Sequence, residues 1–169
     1  MRNCVFISLV LFLVGCSPAE KKVAAAPSEL NTLIDNWHKA AANAQFNTYF
    51  NALSEDAIFI GTDARERWSK KHFEDYSKPY FDKGKAWTFA SLERHWYFNQ
   101  DSTVVWFDEL LDTQMKLCRG SGVLTQNNNK EWKITQYVLS MTVPNEVANE
   151  VIAIKDSIET AFSTQLKNL

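Results

Sequence analysis

Four consecutive segments rich in Trp, Phe, Tyr, Val and Thr, at 86–98, 102–117, 119–127 and 131–142, leave this chain few folds to choose from. β-Branched and aromatic side chains fit a pleated surface. The segments are divided by Asn99-Gln100-Asp101, by the Gly120/Gly122 region and by Asn127-Asn128-Asn129-Lys130. Asn and Gly tolerate the positive φ of hairpin turns, so the pattern predicts four antiparallel strands in succession. The second segment reads as a strand of about fifteen residues, well above the usual length, and such a strand must twist and bend. Both faces of the last segment are apolar, with Trp132, Ile134 and Val138 on one and Tyr137, Leu139 and Met141 on the other. One face has helices to cover; the other calls for a second subunit, so a homodimer is expected.

Helical periodicity precedes these strands. Ser28 reads as an N-cap before Leu30, Leu33, Ile34, Trp37, Ala41 and Ala44, which fall on one face. Phe46, Tyr49, Phe50 and Leu53 mark a short second helix, and Ala57–Ile60 a buried strand stopped by Gly61. Trp68, Phe73, Tyr76 and Tyr80 predict a third helix over 68–81, frayed by Pro79. Helices followed by an antiparallel meander define an α+β fold. After Pro144, with Asn145 as the expected cap, Val147, Val151, Ile154, Ile158, Phe162 and Leu166 form the stripe of an amphipathic C-terminal helix, expected to pack on its own domain or on a dimer partner.

The N-terminus constrains location. Arg2 precedes an apolar run from Cys4 to Val14, too short to cross about 30 Å of hydrocarbon and right for a secretion signal. Leu13-Val14-Gly15-Cys16 resembles the lipobox of bacterial lipoproteins. That resemblance implies cleavage before Cys16, acylation of Cys16, and stable anchoring by several acyl chains. Ser17, in place of an Asp, implies sorting to the outer membrane with the domain facing the periplasm. Residues 1–15 are then the signal peptide, 16–28 the lipidated Cys and tether, and 29–169 a single domain. Losing Arg2 takes the 18 basic side chains to 17 against 20 acidic, a formal charge of −3. No basic excess exists to favour nucleic acid. With Cys4 removed and Cys16 acylated, Cys118 stands alone, without a disulfide or zinc site, and reads as a small buried hydrophobe.

The order of these elements, with Gly61-Thr62-Asp63-Ala64-Arg65-Glu66-Arg67-Trp68, Val105-Trp106-Phe107-Asp108-Glu109, Arg119-Gly120-Ser121-Gly122-Val123-Leu124, Trp132-Lys133-Ile134 and Val143-Pro144-Asn145-Glu146, resembles the SnoaL-like branch of the nuclear transport factor 2 (NTF2)-like superfamily over about residues 29–152. The resemblance implies a cone: a strongly curved antiparallel sheet wrapped around N-terminal helices, with a pocket at the wide end and dimerisation through the outer sheet face. It implies no single reaction, because members include cyclases, isomerases, dehydratases and proteins without assigned activity.

Proton-transfer chemistry in such a pocket needs a carboxylate or His. The candidates are Asp63, Glu66, His95, Asp108 and Glu109, with Asp63, His95 and Asp108 taken as the catalytic set. Arg65, Trp68, Trp106, Arg119 and Gln136 are the expected ligand contacts. Each also has a purely structural reading. Asp63 and Glu66 can form a capping box, Trp68 can be core, His95 can be a half-exposed strand residue, and Asp108 can pair with Arg119 across the sheet. Gln136 stands where relatives often carry His, and it cannot titrate. No metal-ligand spacing, P-loop, GxGxxG, GxSxG or HExxH occurs, so no metal or cofactor is expected. Three functions follow: binding of a small apolar or aromatic molecule by a lipid-anchored envelope protein, isomerase, cyclase or dehydratase catalysis by a pocket Asp or His, or a non-catalytic dimerisation or partner-binding module.

Overall fold

The computed structural model describes residues 27–169, so the signal, Cys16 and the tether as far as residue 26 lie outside the described residues, while Pro27 and Ser28, expected in the tether, belong to the first helix. The four aromatic-rich segments form the expected meander: β3 (Phe89–Phe98), β4 (Val104–Thr113), β5 (Lys116–Gln126) and β6 (Trp132–Met141). Before them come α1 (Pro27–Ala42), α2 (Phe46–Asn51), β1 (Leu53–Ile60), β2 (Arg67–Ser69) and α3 (Lys70–Asp82). A 3-10 turn, Asn145–Val147, leads into α4 (Ala148–Lys167). The sheet has six strands in the order β2-β1-β6-β5-β4-β3, antiparallel except where β1 runs parallel to β6. Register shifts at Ser91/Glu93, Leu53/Ile58 and Val123/Leu124 interrupt the ladders, and such irregularities bend a sheet. The α+β fold with a curved sheet and C-terminal helix stands as expected.

Several boundaries differ from the sequence reading. The long second strand stops at Thr113, because a hairpin turn through Gln114 and Met115 reverses the chain. Thr113 closes that turn: its hydroxyl donates to the Lys116 carbonyl and accepts from the Met115 N–H, at 2.8 and 2.9 Å. Lys116 takes φ 69° there. Gly120 and Gly122 are not a turn at all; they lie inside β5, both buried. Helix α3 begins only at Lys70, since Trp68 pairs with Phe59 in β2 and Ser69 caps the helix by accepting from the His72 N–H. Pro79 sits within α3, which continues to Asp82. Helix α1 starts at Pro27, with Ser28 inside its first turn, and α4 starts after the 3-10 turn rather than at Asn145.

Strand alternation sorts the sheet into two faces. Val105, Phe107, Glu109 and Leu111 of β4 point into the core with Cys118, Leu124, Ile134, Tyr137 and Leu139. They meet the apolar face of α1, where Leu30, Ile34, Trp37 and Ala41 are buried as the periodicity predicts. The aromatic excess fills the space between: Tyr49 stacks on Trp37, and Phe73 lies between Phe59 and Trp68. Helix α4 is different. It has no buried residue, leaves Ile152, Ile154 and Ile158 exposed, and offers Phe162 to the Arg65 guanidinium at 5.2 Å. No described helix is long and apolar enough to cross a membrane.

Candidate functional site

Glu109 is the one carboxylate on the inner face of β4, and it is 0% exposed. A buried charge survives only where partners replace its water. Glu109 has four such contacts. Oε1 accepts from His38 Nε2 at 2.9 Å and from the Tyr137 hydroxyl at 2.8 Å. Oε2 accepts from Arg94 Nε at 3.0 Å and from its terminal nitrogen at 2.7 Å, a two-pronged pairing. Arg94 reaches on to Asp35 and to Asn31, whose amide oxygen also accepts from Trp96 Nε1. The network joins α1, β3, β4 and β6. Burial pushes the Glu109 carboxyl up, but the His38 hydrogen bond, with the Arg94 charge and hydrogen bonds behind it, outweighs it and holds the group below its usual range. Tyr137 is pushed well above the ordinary phenol by burial and then by the Glu109 charge. Glu109 is therefore an ionised acceptor, which makes His38 Nε2 a donor.

Two spaces adjoin this network. An aromatic cavity of about 140 Å³ lies among Phe59, Trp68, Phe73, Trp87, Phe89 and Leu139, with Thr62, Glu66, Tyr76, Gln114 and Met115 also on its walls. A larger groove of about 450 Å³ runs between α1 and the edge strand β3, lined by Asn31, Asp35, His38 and Lys39 on one side and residues 89–94 on the other. Phe89 lines both, and its ring meets His38 edge-on at 5.6 Å.

The sequence-derived site residues fall in three places. Trp68 lines the aromatic cavity, stacked on Phe73 and on Tyr76. Asp63 and Arg65 are exposed in the β1–β2 loop, where Asp63 accepts from the Arg65 N–H at 2.8 Å and its own N–H donates to Glu66. His95, Trp106, Asp108, Arg119 and Gln136 all lie on the outer face of the sheet. There His95 stands opposite Asp108 in register, Tyr97 donates to Asp108 at 2.9 Å, and Arg119 approaches Asp108 at 3.5 Å. Trp106, Val123, Gln136 and Val138 surround an apolar depression of about 210 Å³ on that face. None of this outer group touches the Glu109 network. The sequence reading weighed Glu109 and passed over His38, Arg94, Asn31 and Asp35. One signal was available for His38: it lies four residues after Ile34, on the apolar face of α1. Among the described residues no group of His, Cys, Asp and Glu is placed to hold a metal ion.

A curved six-stranded sheet packed over helices, with a C-terminal helix, defines an α+β fold of the NTF2-like kind. The chain belongs to the SnoaL-like domain family, whose pattern matches residues 30–144. Solved structures share the architecture at low identity. An NTF2-like protein of unknown function from Pseudomonas putida KT2440 is 12% identical, with a TM-score of 0.58 over 71% of this chain and 89% of that one. A protein from Parabacteroides distasonis described as a candidate ketosteroid isomerase is 16% identical, with a TM-score of 0.58 over 71% and 90%. One from Xanthomonas campestris, described as a candidate calcium/calmodulin-dependent protein kinase II association domain, is 18% identical, with a TM-score of 0.53 over 76% and 99%. No curated protein matches the chain. The family match ends before α4.

Proposed function

We propose that this protein is a membrane-tethered SnoaL-like domain that binds a small aromatic molecule, held to the outer membrane by acylated Cys16 and facing the periplasm. The observation that carries the reading is the aromatic cavity. Its size of about 140 Å³ is close to that of an engineered apolar cavity of about 150 Å³ that takes up benzene. It falls below the roughly 300–1,000 Å³ of ordinary drug-sized pockets. A single aromatic ring fits that volume. Trp68, Trp87 and Phe89 give it apolar walls, while Glu66, Thr62 and Gln114 offer polar atoms to a ring substituent.

The chain assembles as a homodimer through the outer face of the sheet. Tyr97 and Trp106 stack there with about two-fifths of their surfaces open. The fold neighbour described as an association domain supports assembly as a use of this architecture.

The test is titration of the full chain with toluene and with phenol, read by tryptophan fluorescence. A saturable change that disappears in Leu139→Trp, which fills the cavity, is the expected result. Absence of any saturable change in the folded wild-type chain defeats the reading.

A further inference from the structure

The α1/β3 groove is separate from the aromatic cavity, and one buried group in it has an unmet requirement. His38 lines the groove, is 3% exposed, and gives Nε2 to Glu109. Its other ring nitrogen, Nδ1, is buried and has no hydrogen-bond partner among the described residues. A neutral imidazole carries one proton, and an ionised Glu109 draws that proton to Nε2. Nδ1 is then left with a bare lone pair. Buried polar atoms nearly always find partners, and an exception asks for an explanation.

We propose that the groove is a second binding site, for a small amine or amide whose N–H donates to His38 Nδ1. Charge does not draw an anion here: Asp35 and Glu93 balance Lys39 and Arg94 on the walls, and Arg94 is already held by Glu109, Asp35 and Asn31. The volume of about 450 Å³ suits a small organic molecule. An added peptide strand fits less well, because the register shift between Ser91 and Glu93 breaks the regularity of the β3 edge that a strand would need. Nδ1 is closed off from solvent in the free chain, so a neighbouring side chain must move for the ligand's N–H to reach it.

The experiment is nitrogen NMR of the three histidines in the ¹⁵N-labelled full chain in detergent, titrated with benzylamine and, as the oppositely charged control, with benzoate. His38 is assigned from His72→Ala and His95→Ala, both exposed positions, so the assignment does not need a core variant. The expected free state shows a proton on Nε2 and none on Nδ1 of His38. Benzylamine then moves the Nδ1 signal saturably and benzoate does not. In His38→Phe, if it folds, benzylamine affinity falls by about tenfold, the factor that one net hydrogen bond is worth. The same titration in Leu139→Trp separates the two sites, since the His38 shift persists there even with the aromatic cavity filled. The proposal is overturned if Nδ1 carries the proton in the free protein, if benzylamine leaves the His38 signal unmoved, or if benzoate moves it as strongly.

Discussion

Asp108 and Glu109 are consecutive residues of β4 whose carboxylates lie on opposite faces of the sheet. Asp108 is outside, 3.5 Å from Arg119, while Glu109 is wholly buried between His38, Tyr137 and Arg94. The same chemical group has two energetic roles one residue apart. Removing the charge of Asp108 disturbs a solvent-screened pair worth about 0–1 kcal/mol. Removing that of Glu109 leaves a buried cation and a buried phenol short of an acceptor, at about 3–5 kcal/mol. The expected outcome is that Asp108→Asn shifts the urea midpoint little and Glu109→Gln lowers it by the equivalent of about 3–5 kcal/mol.

Acid adds a second signature. Glu109 is held below the usual carboxylate range in the folded chain, so its contribution is present above the unfolded value near 4.5. It is lost as pH falls through the lower folded value. Urea unfolding of wild type and Glu109→Gln is therefore expected to differ most near neutrality, with the gap closing below pH 4.5. A gap that stays constant into acid removes the ionised carboxylate from the account.

Gly120 is the second lever on this network. It faces Glu109 across β4–β5 and sits under the Tyr137 hydroxyl, where an added Cβ would land on that oxygen and within 3.0 Å of the Glu109 side chain. Both neighbours are buried and mutually hydrogen-bonded, so neither swings away freely. Gly120→Ala is expected to cost about 1–3 kcal/mol, the range for overpacking a filled interior, despite the higher strand propensity of Ala. Tyr137→Phe removes the hydroxyl in the way, and the double variant should lose less than the two single losses combined.

These positions also mark how far the sequence could be read. The meander was legible because Trp, Phe and Val recur at strand spacing between Asn-rich turns, and α1 because Leu30, Ile34, Trp37 and Ala41 keep helical period. The face of each strand was not. Trp106 and Asp108 look as much like pocket residues as Phe107 and Glu109 do, since aromatic and acidic residues occur at both parities of β4. Only the packed helix decides which parity is inside. Gly120 and Gly122 misled for a related reason: a glycine that makes room for the Tyr137 hydroxyl or the Phe107 ring is indistinguishable in sequence from one that turns the chain.

Cys16 offers a direct test of the tether. On the proposed tether its thiol is the acylation point, so Cys16→Ala is expected to remove both the acyl chains and the cleavage that depends on them. Full-length chain is expected to retain residues 1–15 by intact mass, and wild type to begin at Cys16 with added acyl mass and partition into the detergent phase. A wild-type chain lacking acyl mass ends the tether reading, while the SnoaL-like domain itself is unaffected.

The outer sheet face is tested by a charge placed at its centre. Trp106 stacks on Tyr97 and borders the depression formed with Val123, Gln136 and Val138, leaving a contiguous apolar area open to water. Such a patch is removed from water when a second copy covers it, and an uncompensated carboxylate in that contact is costly. Because Trp106 points away from the core, Trp106→Glu leaves the folded domain intact. The expected result by sedimentation of the detergent-solubilised chain is a dimer for wild type and a monomer for Trp106→Glu, with unchanged thermal unfolding at low concentration. A wild-type monomer at high micromolar concentration, or a variant that remains dimeric, moves assembly away from this face and toward the exposed isoleucines of α4.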